Sequence, residues 1–367
     1  MRDSAENKPT LASTLREGAR VMIRRRLTAG ELAAAAGTLD ANATLTDIVG
    51  TVRSVDVGHV VVDTRRGEVR VAITHIVTAK ALGPRPGRRG APHRAVSVED
   101  LEELMTDGWP PHEREWFGRW MLRAAGGYTG RANSPLVLGE PGPSTADSLA
   151  TVRRWYDARA LPPLIQVPLS PGFSADDDPL VQEATTLGWE ALRPVRVMTA
   201  ASADVAAAAR RTSTSSMRTN VSPALDDAWW SLADDRARTH ESDARRVLEG
   251  SEKQVFLALT PPVDTDGITS GAAGAPSGAV AHARLALSPG WAGVFALATR
   301  PDVRRQGLAR QLLRACADEA LRADEASMYL QVAADNAPAI ALYESLGFTT
   351  HHTYVYLEAP SQVVLQA

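Results

Sequence analysis

The chain of 367 residues is long enough for two or three domains, because one domain commonly spans about 100–200 residues. A hydrophobic fraction of 44% and a charged fraction of 23% exclude a wholly disordered or fibrous protein. The formal net charge is −3, and the single cysteine, Cys316, excludes both an intrachain disulfide and a metal site built from several cysteines.

Hydropathy and charge narrow the choice of partners. The first ten residues are polar, and no run of about 18 apolar residues occurs, so we expect a cytoplasmic protein without membrane contact. Residues 1–96 carry 16 Lys+Arg and 9 Asp+Glu, a balance of +7. A basic N-terminal region can bind a polyanion. No aromatic residues interleave with the basic ones, however, so the pattern does not favour nucleic acid as a partner.

The N-terminal part of the chain has the pattern of short β-strands. Side chains alternate at period two from Val49 to Val77, and Gly58 and Gly67 lie where tight turns would join strands. With an earlier strand over Arg20–Arg26, this pattern predicts a five-stranded barrel within residues 11–82. It resembles the small SH3-like barrels. Such barrels serve either as docking modules or as structural caps.

Two breaker segments divide the rest of the chain. A Pro-, Gly- and Arg-rich linker covers residues 82–94, and a Ser- and Thr-rich stretch covers residues 206–220. The regions on either side of the second breaker contain an internal sequence repeat. LIQV at Leu164 corresponds to YLQV at Tyr329, and LGW at Leu187 corresponds to LGF at Leu346. The repeat predicts two related modules over residues 97–200 and 221–360.

The second module contains a strand-to-helix turn that suits an anion. A strand is predicted over Val294–Ala298 and a helix over about Arg305–Arg322, and RRQGLA, residues 304–309, covers the turn into the helix. A glycine lets the backbone approach an anion closely, and the first N–H groups of a helix point toward it. Arg304 and Arg305 add charge that a diphosphate would favour. A simple tight turn would have the same pattern.

A second motif follows at a fixed distance. Asn336 and Pro338 open a predicted helix, Tyr343 lies seven residues after Asn336, and Gly347 ends the helix. Together with Arg304, Gly307 and Ala309, these residues resemble the GNAT superfamily of N-acetyltransferases over residues 225–358. The small barrel and the ending HHTYVYLEA are similar to the bacterial histone-acetyltransferase-like subfamily. The implied fold class is α/β (α+β): the barrel followed by tandem GNAT-like mixed-sheet modules, the first degenerate.

The resemblance implies acetyl-CoA as co-substrate and no metal. In this family, main-chain groups of the strand before the loop pair with the pantetheine arm, loop N–H groups hold the pyrophosphate, and the asparagine contacts the pantetheine. Carried over to this sequence, the cofactor-binding residues are Leu297, Ala298, Thr299, Arg304, Arg305, Gln306, Gly307, Leu308, Ala309 and Asn336.

The resemblance also makes Tyr343 the general acid, since a phenol with a pKa of about 10 can donate a proton to a leaving thiolate. A tyrosine in the core of an amphipathic helix would fit the same position. The strand Asp or Glu that serves as base in some relatives is absent, so His282 is the first candidate base, with His351, His352 and a relayed water as alternatives.

The first module lacks these features. Its corresponding loop, GEPGPSTAD at Gly139–Asp147, has no arginine, and Ala184 stands where the second module has Tyr343. We therefore expect a degenerate copy that packs against the active one. Cys316 falls on the buried face of the predicted helix and is expected to be inert.

The sequence thus predicts transfer of acetyl from acetyl-CoA to a small-molecule or peptide amine, by a monomer or homodimer. Two alternatives stay open. One is a CoA-binding regulatory or scaffold protein without catalysis, and the other is a nucleic-acid-associated protein that acts through the basic barrel.

Overall fold

A computed structural model describes residue 15 and residues 20–28, 45–64, 67–82, 92–211, 217–262 and 278–360. The middle of the predicted linker, residues 83–91, and residues 212–216 of the second breaker lie outside the described residues. The chain divides into two compact units, Met1–Arg88 and Arg89–Ala367.

The first unit contains one antiparallel sheet, and its strands have the order β4-β3-β2-β1-β5. Alternate side chains, among them Val21, Ile23, Val60 and Val62, form its core, because successive residues of a strand point to opposite faces. The sequence predicts five strands, and the described residues of this unit form five, while closure into an SH3-like barrel stays a prediction. The strands are β1 Arg20–Arg26, β2 Leu45–Val55, β3 His59–Thr64, β4 Gly67–Ala72 and β5 Ile76–Leu82.

The second unit is a mixed α/β structure built on one large sheet. Its strands are β6 Glu113–Phe117, β7 Trp120–Ala124, β8 Leu136–Val137, β9 Leu164–Leu169, β10 Glu190–Ala191, β11 Val195–Ala201, β12 Arg218–Ser222, β13 Lys253–Thr260, β14 Ala281–Ser288, β15 Trp291–Thr299, β16 Ser327–Ala333 and β17 Thr349–Glu358. Its α-helices are α1 Pro92–Ala95, α2 Val98–Gly108, α3 Thr145–Asp157, α4 Pro179–Thr186, α5 Ser202–Arg210, α6 Asp227–Trp230, α7 Asp235–Thr239, α8 Glu241–Leu248, α9 Leu308–Arg322 and α10 Ala337–Ser345.

The strand order of this sheet does not follow the chain. It runs β12-β13-β14-β15-β16-β11-β17-β9-β8-β7-β6, and β10 pairs with the end of β17. Two neighbouring pairs, β15 with β16 and β8 with β9, are parallel, and all other pairs are antiparallel. Each parallel pair is joined through a helix, as a parallel connection requires.

Strands β11 and β17 are exchanged between the two halves of the sheet. β11 belongs to the first half by sequence, yet it pairs with β16 from Val195↔Ala333 to Ala201↔Ser327. β17 comes from the second half and pairs with β9 from Thr353↔Leu169 to Glu358↔Leu164. The two exchanged strands also pair with each other. Strands that are distant along the chain are therefore interleaved at the centre of the sheet.

Two layers of side chains cover the centre of the sheet. On one face, α9 and α5 bury a core that includes Leu312, Cys316, Met198 and Leu330. The opposite face is covered by α2 and by an aromatic cluster. As predicted, Cys316 is fully buried, and burial raises the pKa of its thiol to about 12, so it stays protonated near pH 7.

Candidate active site

The parallel strands β15 and β16 separate halfway along their length. They pair from Trp291↔Ser327 to Val294↔Leu330, although β15 continues to Thr299 and β16 to Ala333. Ala296 has a φ of 47°, and the register between β14 and β15 shifts beside it, which are the marks of a β-bulge. Because a bulge bends the strand that contains it, the segment from Phe295 to Thr299 turns away from β16.

A cleft of about 770 Å³ lies at this separation. It is lined by nine of the ten residues predicted to bind the cofactor, all except Gln306, and by the predicted acid Tyr343. Sequence reasoning missed Arg310, Pro338, Ala339 and Leu342, which also line it. Their positions on the helices could have identified these four residues, because each lies within one turn of a predicted site residue on α9 or α10.

The N-terminus of α9 opens onto the cleft without a side-chain cap. Gly307 at the N-cap has a φ of 79°, which favours glycine, and a Cβ added there would meet nothing within 4 Å. The first turn contains no acidic residue. Because the first N–H groups of a helix have no intrahelical partner and the dipole is positive at this end, the site attracts an anion.

Two arginines precede this helix end, and a third follows it. Arg304 and Arg305 line the cleft, and the Arg304 Nε donates to the carbonyl of Thr299 at 3.3 Å. Arg310 lies on the first turns of α9 and donates to the Ser345 hydroxyl on α10 at 2.8 Å. The cleft therefore combines free backbone donors with three cationic side chains, an arrangement that suits a multiply charged anion.

Asn336 and Tyr343 lie at the start and near the end of α10. The Asn336 side chain caps this helix by accepting from the N–H of Ala339 at 3.3 Å. The Tyr343 ring packs edge-on against Phe348 with 6.0 Å between ring centroids. Burial raises the pKa of Tyr343 to about 12. Its phenol is therefore neutral and able to donate a proton near pH 7.

The candidate base His282 lies on β14, where it pairs with Ala298 of the cleft strand. Its ring packs at a tilt of 36° against Trp229 with 4.1 Å between centroids, and Nδ1 lies 3.1 Å from the Trp229 carbonyl oxygen. A carbonyl can only accept, so Nδ1 carries the proton and Nε2 holds the basic lone pair. Burial lowers the pKa of His282 to about 4, so the ring is neutral at pH 7. His282 does not line the cleft.

The alternative bases lie elsewhere in the sheet. His352 is buried and its Nε2 lies 2.8 Å from a Glu102 carboxylate oxygen. Its Nδ1 lies 2.8 Å from Nδ1 of His351, whose Nε2 donates to the Val96 carbonyl at 2.9 Å. Neither histidine lines the cleft. The structure therefore gives both histidines partners at the centre of the sheet.

Comparison with known proteins identifies a family for this chain. The family described as "Probable histone acetyltransferase Rv0428c C-terminal" matches residues 95–357. The chain belongs to this family.

One similar protein extends the match beyond the family region, and a second matches a short segment. The "Probable histone acetyltransferase Rv0428c" of Mycobacterium tuberculosis is 28% identical over 349 residues, which cover 94% of this chain and 96% of the relative. The ribosomal protein bS18 alanine N-acetyltransferase of Escherichia coli is 53% identical over 55 residues, only 15% of this chain and 37% of the relative.

A solved structure, a GCN5-related N-acetyltransferase from Kribbella flavida, covers 73% of this chain and 97% of its own, with 14% identity and a TM-score of 0.46. The family and the two relatives place the chain among the GNAT N-acetyltransferases and support an acetyltransferase function.

The first half of this GNAT protein has a second strand-to-helix turn with different chemistry. Ser144 caps α3 by accepting from the N–H of Asp147 at 3.2 Å, and its hydroxyl donates to the Asp147 carboxylate at 2.7 Å. Glu183 accepts from the hydroxyl of Thr145. The helix end is thus capped and surrounded by negative charge, which opposes the binding of an anion.

Among the described residues, no cluster of three or more His, Cys, Asp or Glu side chains could hold a metal ion. Within the same ranges, no helix is both long and apolar enough to cross a membrane.

Proposed function

We propose that the protein transfers an acetyl group from acetyl-CoA to a primary amine, and that the cleft between β15 and α9 binds the acetyl-CoA. The observation that supports this function most directly is the junction of an unpaired strand edge with an uncapped, arginine-flanked helix end in one cleft. A linear molecule with a diphosphate at one end and amide groups along its arm needs both features.

Each part of acetyl-CoA has a matching surface in the cleft. The diphosphate would accept from the N–H groups of residues 305–309 and pair with Arg304 and Arg305. Amide groups of the pantetheine arm would pair with the main chain of Leu297 and Thr299, and Asn336 would contact the arm from the opposite wall. The open space around Gly307 is what a close approach of phosphate requires.

The residues at the inner end of the cleft would support the chemistry. The amine nitrogen attacks the thioester carbonyl carbon, negative charge develops on the carbonyl oxygen, and main-chain N–H groups of β15 can stabilise it. The C–S bond then breaks, and the hydroxyl of Tyr343 donates its proton to the thiolate. Because the Tyr343 phenol is neutral near pH 7, it is in the protonation state that this step needs.

The amine also has to lose a proton. Nε2 of His282 has the lone pair for this step, but its low pKa makes it a weak base, and the histidine lies one strand away from the cleft lining. A water molecule that relays the proton competes with it. Exchange of His282 for Gln separates the two, because only a direct role makes turnover depend on this ring.

We also infer the domain organisation from the sequence repeat and the sheet. Residues 97–200 would form a degenerate GNAT-like module and residues 221–360 the catalytic one, preceded by a small SH3-like barrel within residues 11–82. The matching positions of β9 and β16, each flanked by an exchanged strand, support the tandem interpretation.

The experiment is release of free CoA thiol by the full chain, given acetyl-CoA and a panel of amino acids, polyamines and peptide N-termini. We expect thiol release that depends on the added amine. If acetyl-CoA binds but no amine supports release, the protein is a CoA-binding module without catalysis. Salt-dependent retention on DNA by residues 1–96 would instead support the nucleic-acid alternative.

A further inference from the structure

The bulge in β15 lies opposite a charged residue of β14. Pairing between the two strands shifts between His282↔Ala298 and Arg284↔Phe295, so Arg284 stands across from the residue at which the bulge begins. Phe295 is also the first residue at which β15 no longer pairs with β16. Paired residues of neighbouring strands lie on the same face, and the Arg284 guanidinium is 5.5 Å from the Phe295 ring centroid. Arg284 therefore lies beside the point where the cleft opens, on the face of the sheet away from α9.

Arg284 is fully buried, and each of its three side-chain nitrogens has a hydrogen-bond partner. Nε donates to the Leu248 carbonyl at 2.6 Å, Nη1 to the Gly108 carbonyl at 2.7 Å and Nη2 to the Ser251 hydroxyl at 2.8 Å. The Ser251 hydroxyl in turn donates to the Asp107 carbonyl at 2.9 Å. One guanidinium thus joins β14 to two helices that are distant from it along the chain.

The charge of Arg284 is balanced by helix ends. Burial lowers its pKa to about 10, so the guanidinium keeps its charge near pH 7, and no carboxylate among the described residues forms an ion pair with it. Its two carbonyl acceptors are the last residues of helices, because α2 ends at Gly108 and α8 ends at Leu248. The C-terminal end of a helix carries partial negative charge and carbonyls without an intrahelical partner. The two helix ends therefore take the place of a counter-ion.

The end of α2 that this guanidinium holds packs against the gap between β15 and β16. A Cβ added to Gly108 would clash with the Tyr329 hydroxyl of β16 and lie 3.0 Å from the Phe295 ring. The next residue, Trp109, stacks on Phe295 with 5.1 Å between ring centroids. A second guanidinium, that of Arg131, lies 5.6 Å from the same ring. The end of α2 is thus in close contact with the first residue of the bulge.

We propose that Arg284 is a positioning residue for acetyl-CoA. It holds the ends of α2 and α8 against β14 and so fixes the bulge that begins at Phe295. The bulge in turn directs the main-chain groups of Leu297 and Thr299 toward the pantetheine arm. Arg284 itself does not line the cleft, so it acts through β15 and not by contact with the substrate. This inference rests on the proposed function, because it concerns how the arm of acetyl-CoA is bound.

The two ends of acetyl-CoA allow the positioning role to be tested separately from the diphosphate site. The diphosphate would bind at the N-terminus of α9, which packs on the opposite face of the sheet, whereas the arm would bind along β15. ADP carries a diphosphate and no arm. A change that disturbs only the bulge should therefore weaken the binding of acetyl-CoA and leave the binding of ADP as it is.

Arg284→Met removes the three donors and keeps an unbranched apolar side chain. We expect the Kd of acetyl-CoA, measured by titration calorimetry on the full chain, to rise roughly 10-fold, because main-chain hydrogen bonds to the arm are lost. The Kd of ADP should change by less than about 2-fold. Arg284→Lys keeps the charge but not the planar fork that spans two carbonyls, so it should restore only part of the affinity.

Arg123→Met is the matched control. Arg123 is also buried, and it donates to the Ser134 carbonyl at 2.8 Å and to the Gln166 side chain at 2.9 Å in the first half of the sheet. Loss of these bonds should lower the melting temperature, as in Arg284→Met, and leave the Kd of both ligands unchanged. A purely structural role of Arg284 predicts the same result for both variants.

Ser251→Ala is a milder change to the same contact, which keeps the test open if Arg284→Met does not fold. It removes one acceptor of the guanidinium and one donor to the end of α2, so the Kd of acetyl-CoA should rise roughly 3-fold with ADP unaffected. Wild-type affinity for acetyl-CoA in the folded variants, or an equal loss for acetyl-CoA and ADP, would overturn the positioning role. Absence of acetyl-CoA binding by the wild-type protein would overturn the proposed function instead.

Discussion

The N-termini of α9 and α3 occupy comparable places in the two halves of the sheet but differ in charge and capping. Each helix follows one strand of a parallel pair, β15 or β8, through a glycine-containing loop. Gly307 begins α9 without a side-chain cap, next to Arg304 and Arg305. At α3, Ser144 occupies the N-cap and Asp147 lies in the first turn.

This difference shows that a strand-to-helix turn is not sufficient to make an anion site. Both helix ends have a positive dipole, but only α9 leaves its first N–H groups without a side-chain acceptor. At α3 the Asp147 N–H is occupied by the Ser144 side chain, and the Asp147 carboxylate is present where α9 has arginines. We therefore expect the side chains around the helix end to set the affinity for a diphosphate, and matched changes in the two halves test this expectation within one protein.

The largest effect should come from Gly307→Glu. A glutamate there places a carboxylate where the diphosphate would lie, and like charges brought together cost several kcal/mol. We expect acetyl-CoA affinity to fall roughly 1000-fold, measured by titration calorimetry on the full chain.

Gly142→Glu is the control for Gly307→Glu. Gly142 lies in the loop before α3 with a φ of 106°, and a Cβ added there would meet no atom within 4 Å. The two changes therefore carry similar backbone strain and the same added charge. Equal losses of acetyl-CoA affinity in both variants would contradict the assignment of the site to α9.

Tyr343→Phe should have the next largest effect, on turnover alone. Removal of the hydroxyl leaves the ring packed on Phe348 and removes the proton donor, so kcat should fall roughly 100-fold while acetyl-CoA affinity stays nearly the same. The comparison is made between steady-state kinetics and calorimetry on the same variant.

Tyr156→Phe is the matched change in the first half. Its hydroxyl donates to the Arg123 carbonyl at 2.7 Å inside the core, so the variant should lose about 1 kcal/mol of stability and no turnover. If Tyr343→Phe behaves like Tyr156→Phe, with lower stability and full turnover, then Tyr343 is a core residue and solvent protonates the thiolate.

The smallest effect should come from Ser144→Ala. Loss of the N-cap should destabilise the folded protein by about 1 kcal/mol, visible as a lower denaturant midpoint. Acetyl-CoA affinity should not change, because Asp147 still repels an anion at α3. A gain of a second acetyl-CoA site in this variant would show that the cap alone, and not the carboxylate, blocks the first half.

Local features of the site are accessible from the sequence. The spacing of Leu308, Leu312 and Cys316 predicts a helix over about Arg305–Arg322, and the structure has it from Leu308 to Arg322. The lining of the cleft by Gly307 and Tyr343 follows from two motifs within one stretch of chain. These features depend on periodicity and on turn residues, which act over a few positions.

Long-range features are not accessible in this way. The pattern of β11 and β17 predicts strands but not partners, because a strand with one buried face can pair with any matching edge. The sequence repeat around Gln166 and Gln331 does identify β9 and β16 as corresponding strands. These are the strands that pair with β17 and β11, respectively. Arg131 lies far from the motifs along the chain, so only the folded structure reveals its contact with Phe295.

The positions of β11 and β17 in the sheet also affect how the chain can fold during its synthesis. β17 follows every other described strand along the chain, so β9 and β11 are synthesised long before their shared neighbour. During that interval both strands expose unpaired edges, which are sites of aggregation, and pairings between distant segments form slowly. We therefore expect neither half to mature on the ribosome alone, and the growing chain to depend on chaperones until Thr349–Glu358 has been inserted.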